Sequence, residues 1–288
     1  MKKKSTFLAT FFIAACTAAI IVRYMQFVSG IIDFNTGFFF PHAGTIKHVY
    51  YITLFTAFIG FLVLAIIEKK RKTFFFRKKL GQFDDSDVAL TGIMLMLAGF
   101  SIIFSAFREN ISSLNAGGFA AVVLGTFAYS FAGGVLLFKK RAFPSVGVAM
   151  LGLSAYYVIR LVMLFLENYI ILNMSEYLIK LLIVLSLALF YLSAGRMFLR
   201  AESKTTRIKA CVFGFTAALL SVSETTAKVI FWFGAPAVTR EHAAKFIMPD
   251  MVSVAETIAL LILLICIARR KPERVKSDND SDAEAGVK

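Results

Sequence analysis

A chain of 288 residues that is 58% hydrophobic and 17% charged, with a mean hydropathy of +0.75, is too apolar for a soluble domain of its size. Its formal net charge of +14 and pI near 9.8 do not point to nucleic acid, because the basic residues sit in short segments between apolar runs. Cys16, Cys211 and Cys266 all fall inside apolar segments, which argues against a disulfide framework and makes them packing residues.

The chain opens with Lys2, Lys3 and Lys4 followed by an apolar run over 5–22 that resumes to residue 32. Ile13-Ala14-Ala15-Cys16 fits the pattern of a lipoprotein cleavage box, but the apolar run continues well past it, so the segment reads as a first membrane span rather than a cleaved signal. Further runs follow at 50–67, 88–107, 119–138, 146–166, 177–198, 210–233 and 251–268. Each is near the ~20 residues a helix needs to cross the hydrocarbon. The ~10-residue alternation of a barrel is absent, and in lipid a helix is the element that satisfies its own backbone. The expectation is an all-α bundle of about eight spans over residues 1–272, with a short polar, disordered tail at 273–288.

The loops set the orientation. Lys2 to Lys4, the cations of the 68–87 loop, Lys139-Lys140-Arg141, the cations from Arg200 to Lys209 and those from Arg269 onward share one side. The other side has Lys47, Arg240 and Lys245, with Arg108 at its border, so the positive-inside rule puts both termini in the cytoplasm of a bacterial-type plasma membrane. Within the 68–87 loop, Lys69, Lys70, Arg71 and Lys72 precede Phe74, Phe75 and Phe76, which precede Arg77, Lys78 and Lys79. That pattern suits contact with acidic headgroups, each cation near the surface contributing about 1 kcal/mol, or else a plain topological anchor.

Ionisable residues inside spans are costly and mark sites or structural pairs. Lys4 to Arg23, Arg141 to Arg160 and Lys209 to Lys228 are each nineteen residues, and Asp87 to Arg108 is twenty-one, so the odd spans share a cation toward their outer ends. Repeated helical hairpins would give this spacing. Snorkelling explains Arg108 and offers an alternative for Arg23, whereas Arg160 and Lys228 have apolar residues beyond them. Ser221, Glu224 and Lys228 fall on one helical face, with Glu224 four residues before Lys228, the favoured order for a helical ion pair. Glu256 on the last span matches Lys228 in depth, which predicts a contact across that hairpin. Glu176 and Lys180 make another i, i+4 pair at the start of the sixth span.

No His-Glu-x-x-His, Gly-x-Ser-x-Gly or phosphate-loop pattern occurs, so no catalytic residue, metal site or cofactor is expected. His42, His48 and His242 lie on loops without ligand spacing. Two functions stay open. One is a transporter or binding component for a small anionic or amphipathic solute, with Arg160, Glu224, Lys228 and Glu256 as an outward-facing polar centre and Arg23 nearby. The other is a non-transporting scaffold or partner subunit whose buried charges fix helix contacts.

Overall fold

The computed structural model describes residues 6–32, 40, 45–70, 85–108, 116–138, 143–168, 175–199, 201, 203, 205–236 and 251–269. These residues form eight helices: α1 (Thr6–Val28), α2 (Ile46–Lys70), α3 (Asp85–Arg108), α4 (Ala116–Phe138), α5 (Phe143–Asn168), α6 (Ser175–Phe198), α7 (Thr206–Gly234) and α8 (Met251–Arg269). Seven are long and apolar enough to cross a membrane. The eighth has 19 residues, with its described apolar stretch at Val252–Ile265, and rises about 28 Å. The chain is thus a membrane helix bundle. Its lipid-facing surface carries side chains that a soluble protein would hide, such as Phe138 at 85% and Phe233 at 79% exposure.

Six of the eight helices, α2 to α7, begin two to four residues before the expected apolar runs. The basic loop expected at 68–87 is shorter than predicted, because α2 continues through Glu68, Lys69 and Lys70 and α3 begins at Asp85. Two lysines in the last turn suit the negative end of α2. Arg71, Lys72, Phe74, Phe75, Phe76, Arg77, Lys78 and Lys79, and the tail at 273–288, lie outside the described residues. Cys16 and Cys211 are free and buried, as packing residues should be.

Six helices close a ring in the order α3, α4, α5, α6, α7, α8 and back to α3, while α1 and α2 pack together against α7. The α4–α5 and α7–α8 contacts are the least extensive in that ring. It therefore reads as two three-helix halves, α8-α3-α4 and α5-α6-α7. Glycines draw helices together within each half. A Cβ on Gly133 would lie 2.7 Å from the carbonyl oxygen of Gly92, and one on Gly195 would lie 3.1 Å from that of Gly147. Such close backbone approach replaces the hydrophobic driving force that lipid does not supply between helices. Hydroxyls inside the spans bond back to their own helix, as Thr17 does to the Ile13 carbonyl at 3.0 Å and Thr53 to that of Val49 at 2.8 Å. Toward the basic end, Phe12, Phe61 and Phe215 tie α1, α2 and α7 with ring centroids 5.3 to 6.2 Å apart.

Adjacent glycines on α4 give a direct test of the close packing. Gly133→Leu should lower the thermal stability of the detergent-solubilised protein by about 1–3 kcal/mol, the usual cost of overpacking. Gly134→Leu, where an added Cβ meets nothing within 4 Å, should leave the melting temperature unchanged or higher.

Candidate functional site

The polar run on α7 faces α1. Arg23 donates from Nε to Glu224 Oε2 at 2.8 Å and from Nη2 to Oε1 at 3.3 Å, a two-pronged grip that the planar guanidinium favours. Its remaining nitrogen, Nη1, donates to Gln26 Oε1 at 3.0 Å. The Arg23 side chain is 0% exposed, and its charged carbon lies 4.6 Å from the centroid of Phe27 and 5.4 Å from that of Tyr50. Lys228 reaches the same carboxylate from one turn along α7, Nζ to Glu224 Oε1 at 3.0 Å, as the i, i+4 spacing predicts. Snorkelling is therefore not what Arg23 does; it turns inward because a carboxylate, an amide and two aromatic faces replace the water it gives up.

Beside this group, Ser223 donates to the Leu220 carbonyl at 3.1 Å, which uses its only proton. The 2.8 Å contact between Tyr50 and Ser223 is then donated by the tyrosine, fastening the start of α2 to α7.

A second group sits inside the ring. Arg160 on α5 donates from Nη1 to Glu256 Oε1 on α8 at 3.3 Å, with the two side chains 32% and 11% exposed. These two helices lie on opposite sides of the ring and do not pack along one another. Tyr156 lies one turn before Arg160 on the same stripe of α5. Behind the pair, the Tyr129 and Tyr157 hydroxyls meet across the α4–α5 contact, and Tyr157 stacks on Tyr191 with ring centroids 5.6 Å apart. Thr225 of α7 and Thr257 of α8 meet at 3.5 Å, beside Glu224 and Glu256, and link the two groups.

All five residues singled out in the sequence thus gather at one end of the bundle, in two joined groups. Glu256 takes Arg160 as a partner, which sequence spacing did not predict; the α7–α8 packing that was expected to bring Glu256 level with Lys228 is present. Gln26, Tyr50, Ser223 and the four tyrosines were missed. Their signal was available, since the hydroxyl of a tyrosine inside an apolar run must find a partner there. Among the described residues no cluster of three or more His, Cys, Asp or Glu could hold a metal. The side chains of Arg108 and Glu176, together with His42 and His242, lie outside the described residues. Comparison with known proteins gives no match to a family model, a curated protein or a solved structure.

Glu224 serves two cations, so its loss should cost more than the loss of either one. Glu224→Ala leaves Arg23 and Lys228 facing each other at a buried site and should destabilise by about 3–5 kcal/mol. Arg23→Ala, which leaves Glu224 its lysine, should cost clearly less. Thermal unfolding of the purified protein compares them, and equal losses would show that the carboxylate is not shared.

Proposed function

We propose that the chain is a membrane-embedded binding or transport component for a small anionic or amphipathic solute, with the Arg160–Glu256 pair closing its outward entry. The observation that carries this reading is that the pair joins helices on opposite sides of a ring through a single long ion pair, one third exposed on the arginine side. Arg23 differs in each respect: fully buried, doubly bonded and packed between aromatic faces, it has the geometry of a fixed fastener. An arginine made to release its partner should be accessible and grip it through one bond, as Arg160 grips Glu256.

Three further features agree. Within the polar centre itself, Arg23, Arg160 and Lys228 against Glu224 and Glu256 leave a surplus of one positive charge, which favours an anion there. The Arg160–Glu256, Tyr129–Tyr157 and Thr225–Thr257 contacts all cross between the two halves of the ring, whereas the glycine pairs that bring backbone against backbone, Gly92 with Gly133 and Gly147 with Gly195, lie within them. Rigid halves joined by exchangeable polar contacts suit movement of one bundle against the other. On α4, one turn from Tyr129, the hydroxyl of Thr126 is buried without a hydrogen-bond partner among the described residues, as expected of a group that a solute or water would satisfy. The positive-inside bias makes this the outward end.

The scaffold reading draws on the Arg23–Glu224–Lys228 group, in which every charge has an opposite neighbour. One experiment separates the two. Leu153 lies seven residues before Arg160 on the same stripe of α5 and is fully buried. In proteoliposomes, a cysteine placed at Leu153 should react with a membrane-impermeant charged thiol reagent at least about tenfold faster when Glu256 is changed to Gln, as a shift of ~1.4 kcal/mol in an open–closed balance requires. An unchanged rate would sink the entry role and leave the scaffold.

A further inference from the structure

At the opposite, basic end, α6 and α7 part to leave a cavity of about 190 Å³. Its mouth carries Arg196, in the last turn of α6, and Lys209, in the first turns of α7. Both side chains are exposed, and neither makes an ion pair among the described residues. Ser193 and Thr206 line the same space and are buried, with the Thr206 hydroxyl held by Ser203 at 2.8 Å. Deeper in the bundle the lining turns apolar, through Leu192, Leu189 and Phe213. Arg196 to Leu189 is seven residues, so the cavity runs about 10 Å along α6 from charge to hydrocarbon depth.

We infer that this cavity binds the phosphate of an anionic phospholipid, with the first carbons of an acyl chain against Leu192, Leu189 and Phe213. Two cations converge on one mouth, which selects negative charge. A free phosphate would satisfy the mouth alone. The apolar wall has a counterpart only in a ligand that continues toward the bilayer centre, and Leu192 on that wall is exposed. Basic pockets between spans on the positive face are where acidic headgroups are held. This site is distinct from the 68–87 loop, whose central cations lie outside the described residues.

The test is thermal stabilisation of the purified protein in an uncharged detergent, titrated with phosphatidylglycerol, phosphatidylcholine or inorganic phosphate. Phosphatidylglycerol should raise the melting temperature saturably, phosphatidylcholine should not, and inorganic phosphate should give little shift. In the Arg196→Gln/Lys209→Gln variant the half-saturating concentration should rise about 30-fold, as expected for the loss of two headgroup contacts. The Lys69→Gln/Lys70→Gln variant, which removes the same charge from the same end of the bundle at residues that do not line the cavity, should keep the wild-type response. Arg196→Lys/Lys209→Arg should also keep it, which separates lost charge from misfolding. An equal loss in both Gln variants, a response to phosphatidylcholine matching that to phosphatidylglycerol, or a full shift with inorganic phosphate alone would each overturn the assignment.

Discussion

The architecture turns on one carboxylate. Glu224 lies within a span, where an isolated ion is several kcal/mol out of place, and it persists there because Arg23 and Lys228 approach it together at 2.8 and 3.0 Å. That arrangement fixes three things at once. It orients α1 against α7, it sets the rotation of α7 so that Ser223 meets Tyr50 of α2, and it places Thr225 toward α8. The hairpin of α1 and α2 is thereby anchored to the ring through polar contacts at one end and the Phe12–Phe61–Phe215 cluster toward the other.

The ring itself is held by two kinds of force with different consequences. Within each half, glycine and alanine bring backbones close enough for dense dispersion contact, which is strong in sum and insensitive to protonation or salt. Between halves, hydroxyls and one ion pair carry more of the burden. Polar contacts in a site of low dielectric are strong while closed, yet each has a ready substitute in water or a polar solute. A boundary built this way is the place where such a bundle separates at least cost.

Much of the fold was legible because length and hydropathy alone decide whether a segment crosses a bilayer. All eight apolar runs became helices, and the depth shared by Arg23, Arg160 and Lys228 was readable from their spacing. The Glu224–Lys228 contact was also readable, since it is set by one helix's own geometry. Partnerships between helices were not. Arg23 with Glu224 spans 201 positions and Arg160 with Glu256 spans 96, and those depend on the order in which helices close the ring, which hydropathy does not encode. The tyrosines were passed over for a related reason: they are counted among the hydrophobic residues of the apolar runs, although their hydroxyls are polar and need a partner there.

The glycines carry one more consequence. Gly92 with Gly133 and Gly147 with Gly195 bring backbone against backbone near the basic end of the bundle, whereas Gly125, toward the other end, makes room for the ring of Tyr156 at about the same separation. Helix axes are therefore pinched at one end and spaced by aromatic side chains at the other. Backbone contacts of that kind leave no room for a side chain, whereas the wider end is filled by aromatic rings. The interior near Arg160 is thus bounded by the rings of Tyr129, Tyr156 and Tyr157, while the helices converge backbone to backbone at the basic end.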